Sequence, residues 1–310
     1  MEIRKLVLNN GLYIPIIGIG TIDSMYGVKE PKLLKMLNMR ILNGFYYRTF
    51  YKLERKRKSL EMLKSIVQAL KSGYRLIDTS AAYSNEWIIK EAIQMSQVQR
   101  NEIFLISRVS NRQQYSCDIR EACFDSLKKL GTDYLDLYMF HWPVTNHFVN
   151  TWKQMEVLYK EGYVKSIGVA NCHVHHLNSI LQECTVIPAI NEFEIHPLFN
   201  QKELIRFCSS KNIAVIAYTP IGRFHEKIRN NVDLISLSNK YNKTIPQIIL
   251  RWHYQNGIIS IPRSSNKNNI KTNFDIFDFD LQQNEIVLID NVNENLRLRF
   301  DPDNCDFTKL

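Results

Sequence analysis

The chain has few of the residues that build disulfide scaffolds. Its six cysteines form no CxxC pair and show no spacing typical of a metal site. They stand at Cys117, Cys123, Cys172, Cys184, Cys208 and Cys305. Since disulfides are rare in the cytoplasm, we interpret these residues as the reduced thiols of a cytoplasmic protein.

Metal-ligating patterns are equally scarce. His173, His175 and His176 crowd the predicted start of one helix. Only two of them can share a helix face, and no carboxylate or cysteine has ligand spacing to them in the sequence. We therefore expect no metal site.

Long hydrophobic runs are also missing. No apolar stretch reaches the roughly 18 residues that a membrane-spanning helix needs. The amino-terminal segment MEIRKLVLNNG has no apolar signal core, so we expect neither a membrane span nor secretion. A hydrophobic content of 45% nevertheless predicts a large core rather than a disordered chain.

The third glycine of a dinucleotide-binding loop is absent. Gly18 and Gly20 follow one another at the right spacing, but no third glycine and no immediate helix come after them. Because that motif needs both features, the sequence argues against a Rossmann domain.

Short apolar strands that alternate with helices dominate what is present. The amino terminus reads as a β-hairpin around Asn9-Asn10-Gly11, a strong turn signal. Eight strands are then predicted, at 17–21, 75–78, 103–107, 135–140, 164–170, 189–194, 213–217 and 258–261. Strands separated by helices favour a parallel sheet, and eight of them predict one (β/α)8 barrel domain spanning 1–310.

A basic insert interrupts this pattern after the first strand. Residues 24–58 hold ten lysines and arginines against two glutamates, interleaved with six aromatic residues. Such a composition can bind polyanions or a membrane surface. Charge runs are more often solvated surface, so we interpret the segment as a solvated, partly disordered insert and place the next helix at Leu60–Ser72.

Polar residues end the predicted strands. These residues are Thr21, Asp78, Arg108, His141, Asn171, Glu192, Tyr218 and Arg263. In a barrel the carboxyl ends of all strands meet at one face, which carries the active site in barrel enzymes. Tyr83 lies five residues after Asp78 and can face the same cavity. As a structural alternative, Asp78 caps a turn and Tyr83 packs its ring.

A tyrosine, a carboxylate, a cation and a histidine together suit carbonyl reduction. A tyrosine with an ordinary pKa of about 10 can donate a proton near neutral pH if a cation stabilises its anion. A buried carboxylate can hold that cation, and a histidine can orient the carbonyl oxygen. Hydride transfer itself needs a cofactor.

The sequence resembles the aldo-keto reductase family over nearly the whole chain except the insert and the last few residues. The matching segments are LNNGLYIPIIGIGT, GYRLIDTSAAYSNE, DLYMFHWP, KSIGVANCHVHHL, PAINEFEIHP, IAYTPIG and IPRSSNKNNIKTNFDIFDFDL. The resemblance implies a single (β/α)8 barrel that binds NADPH without a Rossmann domain and reduces aldehydes and ketones. It also puts the insert on the catalytic face, where its basic residues border the pocket mouth.

The resemblance assigns catalytic roles residue by residue. Tyr83 would be the general acid, Asp78 its charge partner and His141 the residue that orients the carbonyl. Arg108 takes the place of the catalytic lysine.

The resemblance also assigns the contacts to NADP(H). Asn171 would bind the nicotinamide carboxamide, and Tyr218 would stack on the nicotinamide ring. Arg263 and Ser264 would hold the 2′-phosphate. The other expected cofactor-binding positions are Gly20, Thr21, Glu192, Asn269 and Asn273.

Three positions depart from the family pattern. Arg108 stands for lysine, Glu192 for a glutamine beside the nicotinamide, and Asn269 for a second phosphate-binding arginine. We therefore expect a slow NADPH-dependent reductase of small carbonyl compounds, with a reduced preference for NADPH over NADH. The alternative is a nucleotide-binding sensor or scaffold with little turnover. Neither the substrate nor the oligomeric state is readable from the sequence.

Overall fold

The computed structural model describes residues 4–22 and 43–309, with only the backbone described over 43–52. Strand β1 (Lys5–Val7) pairs antiparallel with β2 (Tyr13–Pro15), which confirms the predicted hairpin. Gly11 has φ +86°, a conformation that glycine adopts easily in such a turn. The hairpin covers the amino ends of the barrel strands, since Asn9 Nδ2 donates to the carbonyl of Pro188, just before β8.

Eight parallel strands follow and confirm the predicted barrel. They are β3 (Ile19–Gly20), β4 (Leu76–Asp78), β5 (Phe104–Val109), β6 (Leu137–Phe140), β7 (Ile167–Ala170), β8 (Ile190–Glu194), β9 (Ala214–Tyr218) and β10 (Ile259–Ser260). Each strand pairs with the next in chain order. A parallel bridge between Ile17 and Ser260 joins the first and last strands, so the sheet closes on itself.

Helices surround this sheet. Their bounds are α1 (Asn43–Lys71), α2 (Glu86–Ser96), α3 (Asn111–Ser116), α4 (Ile119–Leu130), α5 (Phe148–Lys160), α6 (Val174–Glu183), α7 (Lys202–Ser210), α8 (Glu226–Arg229), α9 (Val232–Tyr241), α10 (Ile245–Gln255), α11 (Lys267–Phe274) and α12 (Gln283–Asp290). Among the described residues, no helix is long and apolar enough to cross a membrane.

Helix α1 begins at Asn43, well before the predicted start at Leu60. The predicted start was wrong because the charge run that was read as solvated surface is rich in lysine and arginine, which are good helix formers. Positions 43–58 of the insert thus belong to this helix, while 24–42 lie outside the described part of the chain.

Gly18 and Gly20 have a packing role in the barrel. A Cβ atom on Gly18 would lie 2.5 Å from Leu76 Cγ, and one on Gly20 would lie 2.9 Å from the carbonyl oxygen of Ile261. Leu76 is fully buried, so it has little room to move away. The two glycines therefore let the first strand pack tightly against its neighbours. This packing role agrees with the argument that they do not form a Rossmann loop.

We expect Gly18→Ala to destabilise the protein by about 1–3 kcal/mol, the usual cost of overpacking a core. Urea unfolding measures the effect. In a double-mutant cycle, Gly18→Ala should cost less in a Leu76→Ala background, because the clashing atoms are then gone. Additive effects of the two substitutions would contradict this account of Gly18.

Candidate active site

The carboxyl ends of the strands bring the predicted catalytic side chains together around Arg108. Asp78 ends β4, and Arg108 lies near the end of β5. His141 follows β6 directly, and Glu192 is the middle residue of β8. After β4 comes a short 3-10 turn, Ala81–Tyr83, and Tyr83 is its last residue.

The Arg108 guanidinium contacts four groups at once. Its Nη2 donates to Asp78 Oδ1 and, over 2.5 Å, to Glu192 Oε2. Its Nη1 donates to Tyr83 Oη over 3.1 Å and to the carbonyl oxygen of Thr79 over 3.3 Å. Arg108 is only 1% exposed, so water does not screen these contacts. The guanidinium thus ties two carboxylates to the tyrosine hydroxyl.

The pairing of Glu192 with Arg108 was not indicated by the sequence. The sequence predicts Glu192 beside the nicotinamide, and in the structure its carboxylate accepts a hydrogen bond from the Arg108 guanidinium. Strands β5 and β8 are not neighbours in the sheet, so the contact crosses the barrel interior. Only closure of the sheet brings these two strands within the reach of an arginine side chain.

Two carboxylates share one cation in this buried cluster. Burial raises the pKa of Asp78 well above its ordinary value, although Arg108 opposes the shift. Burial also raises the pKa of Glu192, again against Arg108. For Arg108, burial lowers the pKa, but both carboxylates outweigh it and hold the value above the ordinary one. The guanidinium therefore stays charged, and any titration falls on the carboxylates.

Tyr83 keeps its proton in this environment. Burial raises its pKa well above the ordinary value, and the charges of Asp78 and Glu192 add to that effect, whereas Arg108 opposes it. Ser80 fixes the turn that carries the ring, because its hydroxyl oxygen accepts from the amide of Ala82. The phenol is thus held in place and stays protonated at neutral pH.

His141 is neutral and lies against the ring of Tyr83. The two ring centroids are 5.5 Å apart, edge to face. Burial, followed by the charge of Arg108, lowers the pKa of His141 to about 3. A neutral imidazole carries one N–H, which can hydrogen-bond a carbonyl oxygen without donating a full charge. His141 Nδ1 lies 3.4 Å from the hydroxyl of Ser80.

Asn171 and Tyr218 form a second polar pair at the same face. Asn171 has a left-handed backbone with φ +59°, which asparagine tolerates better than most residues. Its Nδ2 donates to the carbonyl of His141, and its Oδ1 accepts from Tyr218 Oη over 2.6 Å. The amide plane is therefore fixed, with one N–H bond of Nδ2 used in holding it.

A cavity of about 210 Å³ lies between the start of the barrel and α1. Of the predicted cofactor-binding residues, it is lined by Gly20, Thr21, Arg263 and Ser264. Thr21 is held in place because its hydroxyl donates to the carbonyl of Asp78. The cavity therefore contains the predicted phosphate-binding residues, and Thr21 links its wall to the backbone of the strand end that carries Asp78.

Asn269 and Asn273 lie on α11, outside the lining of this cavity. Asn269 is exposed in the first turn, where its amide donates to Asn266 Oδ1, the helix cap. Asn273 is buried in the helix.

Lys58 and Glu61 of α1 also line the cavity and were not predicted as site residues. Lys58 belongs to the basic insert, whose composition was the only signal for it in the sequence. Since α1 includes the last part of the insert, the extended helix carries this cation to the same cavity as Arg263.

Comparison with known proteins agrees with this geometry. The model of the Aldo/keto reductase family matches residues 52–294. An uncharacterized oxidoreductase of Bacillus subtilis (strain 168) is 42% identical over 251 residues, which cover 80% of this chain and 89% of the relative. A methylglyoxal reductase of Escherichia coli (strain K12) is 40% identical over 245 residues, covering 78% of this chain and 88% of the relative.

Solved structures show the same relationship. The crystal structure of a Bombyx mori aldo-keto reductase in complex with NADP superposes with a TM-score of 0.82 and 29% sequence identity. The superposition covers 98% of this chain and 97% of that protein. The chain therefore belongs to the aldo/keto reductase family, a family of carbonyl-reducing oxidoreductases.

Proposed function

We propose that the protein reduces small aldehydes and ketones to alcohols with NADPH, with Tyr83 as the proton donor. The observation that carries this proposal is the hydrogen bond from Arg108 Nη1 to Tyr83 Oη, next to a neutral His141. A phenol that faces a buried cation can release its proton to a developing alkoxide, because the cation stabilises the tyrosinate left behind.

The residues around the cavity fit NADP(H). Arg263 and Lys58 supply positive charge and Ser264 a hydroxyl, which together suit a phosphate group. Asn171 and Tyr218 stand at the strand ends where the family binds nicotinamide. The Bombyx mori relative holds NADP on the same fold. When bound, NADPH supplies the hydride for the reduction.

Each catalytic side chain then has one task. His141 donates its N–H to the carbonyl oxygen and orients it. Tyr83 transfers its proton to that oxygen as negative charge develops there. Asp78 holds the Arg108 guanidinium in position.

The reaction should be slow for a physical reason. Arg108 divides its donors among Asp78, Glu192, Thr79 and Tyr83, so little of its charge is committed to the tyrosinate. The second carboxylate also raises the cost of a negative charge on Tyr83. Relatives named as glyoxal and methylglyoxal reductases make activated small aldehydes the substrates to test first.

We expect Tyr83→Phe to lower kcat by about 10²–10⁴-fold, the usual contribution of general acid catalysis. Replacing Arg108 alone with lysine leaves Glu192 without its guanidinium donor, so the gain should be small. The Arg108→Lys/Glu192→Gln double variant removes the surplus charge and should be faster than either single variant. The measurement is kcat for methylglyoxal reduction at saturating NADPH.

Two other outcomes would change the assignment. If Tyr83→Phe kept the full rate, Tyr83 would not be the proton donor. If the unaltered protein and the double variant both bound NADPH without turnover, a nucleotide sensor would describe the protein better.

Lys58 provides a test of the cofactor site. We expect Lys58→Met to weaken NADPH binding by about tenfold or more, because a hydrogen bond to a charged group contributes about 1.5–3 kcal/mol. NADH lacks the 2′-phosphate, so its affinity should change little. Fluorescence titration measures both. Lys64→Met, an exposed position on the same helix outside the cavity lining, is the matched control. Equal losses for NADPH and NADH would show that Lys58 does not contact the 2′-phosphate.

Glu192 should make stability depend on pH. Its folded-state pKa is raised, so its ionised form is disfavoured in the folded protein. That cost is absent at pH values below the unfolded pKa of about 4.3 and is complete above the folded pKa. Glu192→Gln should therefore stabilise the protein at pH 8 and have a smaller effect near pH 5.

Urea unfolding at both pH values measures the free energy of unfolding. Glu203→Gln, at an exposed position in the first turn of α7, is the control and should show little dependence of this kind. A destabilising effect of Glu192→Gln at pH 8 would mean that the carboxylate is a net stabilising partner of Arg108.

A further inference from the structure

A cluster of imidazoles and one carboxylate lies where the carboxy-terminal tail crosses the start of α6. His173 caps this helix, and His175 and His176 occupy its first turn. Asp303 comes from the tail, 130 residues further along the chain than His173. The extended backbone of His173, with φ −79° and ψ 173°, lets its ring turn toward the rings of the helical histidines.

The nitrogen and oxygen atoms of this cluster converge on one point. His173 Nδ1 lies 2.7 Å from Asp303 Oδ2, and His175 Nε2 lies 3.2 Å from Asp303 Oδ1. One ligand atom from each of these three residues lies within 4.8 Å of the other two. Around a tetrahedral ion with bonds of about 2.0–2.1 Å, neighbouring ligand atoms are about 3.3 Å apart. Small side-chain movements would therefore open room for an ion.

His176 supports the cluster without joining it. Its Nδ1 accepts a hydrogen bond from the backbone amide of His173 over 3.1 Å. The proton of the neutral ring is then on Nε2, which faces Asp303 at 3.7 Å. A protonated nitrogen cannot bind a metal, but it favours a negative carboxylate in that place.

The tail is shaped to present Asp303. Asp301 Oδ1 accepts from the amide of Asp303, and Asp301 Oδ2 accepts from the side chain of Asn304. These bonds form a local turn that fixes the direction of the carboxylate. Preorganised ligands of this kind bind an ion with less loss of conformational freedom.

We propose that His173, His175 and Asp303 bind one divalent transition-metal ion of the Zn²⁺ class. Two imidazoles and a carboxylate are a set that such ions use, with water in the remaining coordination position. Binding through His173 Nδ1 requires the proton there to leave, so that the ring carries its proton on Nε2. That change ends the hydrogen bond that Arg297 Nη2 now donates to Nε2 over 3.4 Å. Arg297 therefore competes with the ion.

The ion would fasten the tail beside the active site. Four residues after Asp303, the ring of Phe307 is buried against Trp142, which adjoins His141. The Phe307 carbonyl also accepts from Asn111 Nδ2. A metal bridge from α6 to Asp303 would thus hold the segment that packs behind the carbonyl-orienting histidine.

The sequence predicted no metal site because no carboxylate stands near the three histidines. The structure supplies that carboxylate from the far end of the chain. His173 is the helix cap and lies outside the helix proper, so it does not have to share a helix face with His175 to reach the same ion.

Isothermal titration of the full chain with ZnCl₂ tests the site without any activity assay. We expect one ion per chain, and at least about tenfold weaker binding for Asp303→Asn and for His175→Gln. Arg297→Gln should bind Zn²⁺ more tightly, since the competing cation is gone. His225→Gln, another histidine at a helix start, is the matched control and should match the unaltered protein.

Two further measurements report geometry and consequence. CoCl₂ should give the strong visible absorption of tetrahedral Co²⁺ in the unaltered protein and not in Asp303→Asn. ZnCl₂ should slow trypsin cleavage after Arg299 in the unaltered protein only. Absence of Zn²⁺ binding, or equal binding by Asp303→Asn and the unaltered protein, would overturn the proposal. Circular dichroism of each variant excludes misfolding as the cause of a loss.

Discussion

A single buried guanidinium organises the catalytic face of this barrel. Arg108 is a long side chain with a planar set of donors, and it is held between two carboxylates and a phenol. An ammonium group has one charged centre and could not span these groups in the same way. Arginine at this position and glutamate at 192 therefore form a matched pair, because the added carboxylate needs the added donors.

The same pair sets a conflict between stability and proton transfer. Burying two carboxylates with one cation leaves either a surplus negative charge or a retained proton, and the surplus negative charge raises the cost of ionising Tyr83. The Arg108 Nε is also buried without a hydrogen-bond partner among the described residues. Such an atom costs about 1–3 kcal/mol in the folded state. The pKa values of several buried groups in this cluster are thus strongly shifted, which is typical of sites that transfer protons.

Much of the barrel could be predicted from the sequence, because strand ends in a parallel barrel must share one face. That rule alone placed Asp78, Arg108 and His141 together. It could not pair Arg108 with Glu192, since β5 and β8 are not neighbours and their side chains meet only across the interior of the closed barrel. It also missed Asp303, whose partners lie more than a hundred residues earlier in the chain. Local patterns report neighbours along the chain, whereas these contacts depend on how the whole barrel closes.

The carboxy-terminal tail lies between two polar clusters, one around Arg108 and one formed by His173, His175 and Asp303. Phe307 packs on Trp142, and Trp142 follows His141, the residue proposed to orient the carbonyl oxygen. The hydrogen bond between Arg108 and Tyr83 lies in the barrel interior. The hydrogen bonds of the Arg108 cluster go to Asp78, Thr79, Tyr83 and Glu192 and to no described residue of the tail. The charge of Arg299, four residues before Asp303, nevertheless lowers the pKa of both Tyr83 and His141. Ordering of the tail would therefore act on the protonation of these two side chains as well as on their surroundings. In kinetic terms such an effect falls on kcat as well as on KM, because a change in the proton affinity of Tyr83 alters the proposed chemical step itself.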